Sequence, residues 1–374
     1  MTVTTRTEIA FRRHLEETLL PPIVAIVVAM VVGDILILSY GQSPATVYRL
    51  LIDGTWGNSY GFGQVIYKAT TLTCTGLAFA IAARAGLFNV GAEGQLAMGG
   101  FAAALAGLAL PAGTSVVVAA PICALAAMMA GGATAAVPGV LRAKFGASEV
   151  IVTIMLNFVV LALLNYTITA HLHVPETLHT PEMHAGTVGR LSDSFASFHG
   201  SAANWTLVAA IVAAIGLWYF LFRSKGGYEL RAVGLQPDAA EYGGVSVKGV
   251  MMRAMTWSGA IAGLGGINFV LGYKGYYEEG FAAGSGFLGI AVALVGRNHP
   301  IGILFAALLF ATLSQGGLAV NALVPKQLVD ILQAVVILAV ATAVPEVQRQ
   351  LRAAAASVAR SVAGRTIANE KAEL

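Results

Sequence analysis

Residues 115–141 read SVVVAAPICALAAMMAGGATAAVPGVL, a stretch without a single charged side chain. About 20 helical residues cross the ~30 Å hydrocarbon layer of a bilayer, and this run exceeds that length. The whole chain has the same character: of 374 residues, 57% are hydrophobic and 11% charged, with a mean hydropathy of +0.76. A soluble globular chain carries about 25% charged residues. A chain with fewer than half that many cannot coat a water-facing surface of this size, so lipid has to replace the missing charge. The fold class is an all-α, polytopic integral membrane protein with no room for a soluble catalytic domain. The formal net charge of +3 is too small to suggest nucleic acid.

Apolar runs lie near 20–39, 65–83, 95–110, 115–141, 150–170, 204–222, 254–273, 286–296, 300–319 and 327–344, which makes about ten transmembrane candidates. Backbone amides in lipid must be satisfied within their own segment, so each run reads as a helix. The third and eighth are short, which admits a re-entrant or broken element at either. Arg12 and Arg13 precede the run from Ile23 to Leu38 in the manner of a signal peptide, but no small-residue cleavage site follows. An uncleaved first helix is the expectation. The chain thus divides into an N-terminal segment 1–19, a transmembrane domain 20–344 and an Ala- and Arg-rich tail 345–374. That tail reads as a surface helix against membrane or partner.

Orientation follows from Lys and Arg. With the N-terminus inside, the outer segments hold only Arg49, Lys68, Arg190, Lys274 and Lys326, and the other 17 of the 22 basic residues fall inside. Cytoplasmic loops retain such residues, so both termini are expected in the cytoplasm. The outer loop 171–203 carries His171, His173, His179, His184 and His199. None of these stands at the i, i+4 spacing of a helical zinc site, and Pro175 and Pro181 favour extended chain, so a solvated loop without metal is expected. Cys74 and Cys123 lie within apolar runs and read as neither disulfide nor ligand.

Three stretches carry information. The first is Gly86-Leu87-Phe88-Asn89-Val90-Gly91-Ala92-Glu93-Gly94-Gln95. Its glycines permit turns and close backbone approach, and polar irregular chain at membrane depth is tolerated only inside protein or beside water. Glu93 there would be costly unless paired or hydrated, which makes it a functional candidate. A plain cytoplasmic hairpin is the other reading, and the residues alone leave both open. The second is the inner loop 223–253, read as two short helices: Tyr228–Val233, closed by a left-handed Gly234, and one begun by Pro237 and Asp238 and stopped at Gly243-Gly244. Small Ala239 and Ala240 would let a partner come close. The third is Gly259 and Gly263, a small-xxx-small pair suited to a tight bundle or a dimer. No phosphate-binding Gly-x-x-x-x-Gly-Lys-Ser/Thr run exists, so any ATPase must be another subunit.

Residues 86–95, Ser-Glu-Val-Ile-Val-Thr-Ile-Met-Leu-Asn at 148–157, the loop 229–244 and Gly-Ile-Ala-Val-Ala-Leu-Val-Gly-Arg-Asn-His-Pro at 289–300 occur in that order. Together they resemble the permease subunit of bacterial ABC importers of the branched-chain amino acid and ribose type. Within it, the nearest branch is the nucleoside and simple-sugar importers that depend on basic membrane lipoproteins. The resemblance covers about 20–345, with Phe158 and His299 departing from many relatives. It implies a multi-pass protein of the bacterial cytoplasmic (inner) membrane that binds no cofactor and does no covalent chemistry. Its implied partners are two cytoplasmic ATP-binding subunits, a second permease (the same chain or a related one) and an extracytoplasmic substrate-binding lipoprotein, besides membrane lipid. The inner loop would then couple to the ATPase through Glu229, Leu230, Arg231, Ala232, Gly234, Pro237, Asp238, Ala239, Ala240 and Tyr242.

For the translocation path the candidates are Asn89, Glu93, Gln95, Asn157 and Asn268, polar groups in otherwise apolar spans that could hydrogen-bond a sugar or base. Helix–helix hydrogen bonding is the alternative use of such groups. A gradient-driven transporter or channel acting alone would need paired carboxylates deep in several spans, and Asp34 and Glu93 are the obvious candidates. A membrane-embedded enzyme would need convergent His, Asp or Ser at depth, whereas the histidines cluster in one loop.

Overall fold

The computed structural model describes residues 27–339 except 173, 176 and 326. The N-terminal segment, the start of the first apolar run, His173, Glu176, the end of the last run and the tail 345–374 lie outside the described residues. Helices follow one another as α1 (Val27–Ser39), α2 (Pro44–Asp53), α3 (Ser59–Arg84), α4 (Ala92–Ala109), α5 (Val116–Phe145) and α6 (Glu149–Thr167). A π-helical turn, Ile168–Leu172, extends α6. Then come α7 (Leu191–Ser194), α8 (Thr206–Arg223), α9 (Lys225–Leu235), α10 (Pro237–Tyr242), α11 (Val247–Gly265) and α12 (Ile267–Phe269), the last continued by a π turn over Val270–Lys274. The series closes with α13 (Ser285–Val295), α14 (Pro300–Ala319) and α15 (Gln327–Ala339). Among the described residues there is no named strand, only the isolated bridges His179–Glu278 and Arg190–Asn204.

Within the described residues each expected apolar run falls on a helix, but not every helix could cross a membrane. Among the described residues six are long and apolar enough: α3, α5, α6 with its π turn, α8, α11 through Lys274, and α14. The bent pair α1 and α2 makes a seventh if taken as one span. The fold is therefore that of a multi-pass membrane protein. The eighth run, α13, has 11 residues and reaches only about 16 Å, half the hydrocarbon layer.

Helices α3 to α14 belong to one compact unit, Tyr48–Ala322, and the sites below lie within it. In the apolar windows of α3 and α11, 78% of residues are buried, against 28% in those of α5, α6 and α8. The first pair forms the centre and the others the shell. Val117, Phe158 and Val212 on the shell are exposed, as is Phe305 of α14, an apolar surface suited to lipid.

The glycine pair of α11 is used inside the chain. A Cβ on Gly259 would strike the Gly131 carbonyl of α5, and one on Gly263 would strike that of Ala127. Just past the end of α11, a Cβ on Gly266 would stand 2.7 Å from the Leu96 carbonyl oxygen of α4. These backbones touch only because the side chains are missing.

The outer loop is more ordered than the expected solvated connection. Thr180 donates its N–H to the Tyr277 carbonyl at 2.9 Å, Met183 to Gly275 at 2.8 Å and Val188 to Leu271 at 2.8 Å. Met183 and Ala185 are buried against Gly107 at the C-terminal end of α4, and the His179 ring stacks on Tyr276 at 4.1 Å. Its extended backbone finds its hydrogen-bond partners along 271–277 instead of in water.

Candidate functional site

After Arg84 the chain turns through Gly86, whose φ is +73, and runs inward without helical structure until α4 begins at Ala92. Seven residues of irregular backbone inside a membrane bundle need partners, and two of the five path candidates, Asn89 and Asn157, supply some of them, with Gln95 holding Asn89 in place. The Asn89 amide donates to Gln95 Oε1 at 2.9 Å and to Ser258 Oγ at 2.7 Å. Its oxygen accepts from Gln95 Nε2 at 3.0 Å and from the Gly91 N–H at 2.9 Å. Asn157 of α6 closes the other side, donating to the Val90 carbonyl at 2.9 Å and accepting the Gly94 N–H at 2.9 Å. Ser258 passes its hydrogen to the Ala78 carbonyl at 2.5 Å. Ala78 lies six residues from the end of α3, so the network sits about 9 Å inward from Arg84. Asn89, Gln95 and Asn157 are all buried.

Glu93, another path candidate, meets a second helix. Its carboxylate accepts the Gly284 N–H at 2.8 Å and the Gly286 N–H at 2.7 Å. These are the free amides at the start of α13, where a helix carries partial positive charge. The left-handed φ of Gly284, +81, lets the chain turn into the helix there, and Gly286 lacks the Cβ that would strike the Glu93 backbone. Thr75 donates to the Ser285 carbonyl at 3.1 Å, which sets the start of α13 about 14 Å from the end of α3. At its other end Arg84 Nε donates to the Asn298 carbonyl at 3.1 Å. Helix α13 is therefore a half-span, beginning deep in the bundle and descending to the level of Arg84. Discontinuous helices of this kind direct their N-termini at anionic groups in transport sites. Here the group is the chain's own carboxylate.

Asn268, the fifth candidate, lies apart, ten residues beyond Ser258 and about 15 Å along the same helical path. Its amide donates to the Tyr67 carbonyl and to Thr71 Oγ1, both at 2.8 Å. Its oxygen accepts from Asn204 Nδ2 at 2.9 Å and Thr206 Oγ1 at 3.0 Å. It ties the break between α11 and α12 to α3 and to the start of α8. Ser258 and Thr153, which donates to the Glu149 carbonyl at 2.7 Å and accepts the Val90 N–H at 3.3 Å, join the network without having been singled out. Both are polar residues in apolar spans, the criterion that selected Asn157.

The inner loop forms two helices, with one correction. Helix α9 begins earlier, capped by Ser224, which accepts the Gly227 N–H at 3.0 Å, and it runs through Gly234 to Leu235. Gly234 is not among the left-handed residues; Gly244 is, at φ +81. Glycine stands at 234 because a Cβ there would strike the Arg84 carbonyl and come within 3.0 Å of the Gly86 nitrogen. The loop thus rests directly on the start of the broken segment. Leu230 and Ala240 are buried and hold it down. Ala232 is partly covered, while Pro237, Asp238 and Ala239 are exposed, as are Leu235 at 84% and Tyr242 at 95%. Glu229 pairs within the chain with Arg253 at 3.4 Å and Lys225 at 3.7 Å. The Arg231 guanidinium lies 5.4 Å from the Phe222 ring, with Arg84 at 5.9 Å and the His299 ring at 5.3 Å. Burial first, and the Arg84 charge second, hold His299 below the ordinary histidine pKa.

A multi-pass bundle whose helices are interrupted at depth, with an ordered helical pair on the same side as the broken segment's start, is the architecture of a membrane transport subunit. The chain belongs to the family described as branched-chain amino acid transport system, permease component, whose pattern matches residues 61–341. It is 37% identical over 337 residues to the guanosine ABC transporter permease protein NupP of Bacillus subtilis, covering 87% of this chain and 93% of that one. It is 33% identical over 329 residues to the nucleoside ABC transporter permease protein NupB of Lactococcus lactis (86% and 90%). Identity is also 33%, over 333 residues, to the glucose ABC transporter permease protein TsgB13 of Haloferax volcanii, covering 85% of each.

Proposed function

We propose that this chain forms the translocation path for a nucleoside in an ATP-driven importer of the bacterial cytoplasmic membrane. The observation that carries the reading is the similarity, over most of both chains, to permeases named for guanosine and nucleosides. The relative named for glucose supports a simple sugar as the second reading. Cytoplasmic ATP-binding subunits, a second permease and an extracytoplasmic binding lipoprotein complete the assembly. Both termini are cytoplasmic, with about ten helices in the membrane layer, α4 and α13 among them as the interrupted pair.

Coupling runs through α9 and α10. Leu235, Pro237, Asp238, Ala239 and Tyr242 meet the ATPase, while Glu229, Leu230, Arg231, Ala232, Gly234 and Ala240 set the pose of the two helices. When ATP draws the ATPases together, α9 moves and carries the end of α3 with it, because Gly234 leaves no slack against Arg84 and Gly86. That displacement reaches residues 87–91 and the α13 half-helix, opening the path inward. Asn89, Glu93, Gln95, Asn157 and Asn268 act by shaping the path, since their polar atoms are engaged within the chain in this state. Solute contact would follow only when the network opens.

Competition identifies the solute. In vesicles holding the assembled transporter and its binding protein, uptake of labelled guanosine should require ATP and be suppressed by excess unlabelled nucleosides but not by glucose. Suppression by glucose alone would replace the nucleoside reading with the sugar reading. ATP-independent uptake would remove both.

A further inference from the structure

A cleft of about 420 Å³ opens between α8 and α11 on the apolar shell, lined by hydrophobic residues and glycine. Ala209, Ala213 and Gly216 form its smooth α8 wall, and Ile261 and Leu264 face them from α11. It follows α8 from Ala209 to Phe220, about 16 Å, which is the acyl depth of one leaflet. Phe220 and Trp257 also border a smaller hollow of about 70 Å³, which Arg253 reaches. The two hollows share these residues, so apolar lining at hydrocarbon depth leads toward a cation on the inner side. There Arg253 and Lys225 share one carboxylate, that of Glu229, leaving positive charge in excess. Arg253 is 61% exposed and Lys225 90%.

We propose that this trough binds an anionic glycerophospholipid of the inner leaflet, one acyl chain in the cleft and the phosphate at Arg253 and Lys225. The tail-then-cation order matches the chemistry of that amphiphile, and basic pockets between helices on the cytoplasmic side hold anionic headgroups. A second subunit packing its apolar face here would leave the excess charge of the two cations unmatched. The bound lipid would wedge α8 against α11 directly behind the start of α9. Lipid composition would then bear on coupling.

Photolabelling tests the assignment with the full chain in nanodiscs. The probe is phosphatidylglycerol carrying a diazirine on one acyl chain. The label should fall on residues 209–220 and 257–264, and unlabelled phosphatidylglycerol should compete about tenfold better than phosphatidylcholine. The double variant Lys225→Gln, Arg253→Gln should lose that preference while still being labelled. Gly216→Phe, checked for monodisperse folding, should lose the label. Equal competition by the two lipids, or label elsewhere, would overturn the proposal. So would protection of the cleft by a second copy of the chain.

Discussion

Glu93 and Gly284 stand 191 positions apart, yet the carboxylate of one caps the helix that the other begins, at 2.8 Å. A buried carboxylate is tolerated there because two helix amides supply the hydrogen bonds that water would otherwise give. The contact fastens the half-helix α13 to the first turn of α4 and thereby fixes both interrupted elements at once.

Glu93→Ala leaves the Gly284 and Gly286 amides without an acceptor, at about 1–3 kcal/mol for each group. Thermal unfolding in detergent should show a clear drop, and uptake should fall with it. Glu93→Gln keeps one acceptor oxygen and should lie between. Equal stability for all three would mean the contact holds nothing together.

The amide network separates a shaping role from a solute-binding one. Asn157→Ala strips partners from the Val90 carbonyl and the Gly94 N–H. It should reduce stability and maximal uptake together, with little change in which nucleosides compete. A changed order of competitors at normal stability would make Asn157 a solute contact instead.

Exposed and buried residues of the inner loop should behave oppositely. Tyr242→Ala and Leu235→Ala should leave the unfolding temperature unchanged, within the ±0.5 kcal/mol usual for surface sites, while weakening capture of the ATPase. Leu230→Ala, at a 4% exposed position, should cost about 2–5 kcal/mol of stability. Pull-down and thermal melts on the same preparations read both.

Gly234→Ala drives a methyl group into the Arg84 carbonyl. The chain should still reach the membrane, but α9 must lift from the end of α3. ATP hydrolysis should then proceed with little uptake. Normal coupling in this variant would show that force does not pass through Gly234.

His299 gives a pH signature. Its folded pKa lies below the ordinary value, chiefly through burial and then through Arg84, so the unfolded state binds more protons. The contribution is complete above about pH 6.5 and is lost as pH falls through that value toward the lower folded one. Melting temperature should decline over that window, and His299→Gln should flatten the decline.

The sequence announced the helices because lipid enforces both the length and the internal hydrogen bonding of a crossing segment. It also marked 86–95 as unusual, where glycine and polar residues interrupt apolar chain, while leaving a buried break and a plain hairpin both open. The partners of that break were hidden, since Ser258, Gly284 and Gly286 are remote in sequence and glycine amides carry no side-chain signal. Gly234 illustrates the same limit. A glycine near a helix end invites the reading of a left-handed cap, whereas the cause is a neighbouring carbonyl from α3. The order of the outer loop was hidden likewise, because its bonds to 271–277 are largely backbone to backbone.

In the proposed function, transport through this chain is powered by a separate ATPase. Guanosine uptake and ATP hydrolysis, followed together in vesicles prepared with and without the ATP-binding subunits, test this most directly. Uptake should occur only with the subunits and ATP present, and hydrolysis should rise when loaded binding protein is added. Accumulation that continues in vesicles lacking the ATPase, sustained by an ion gradient, would contradict the account.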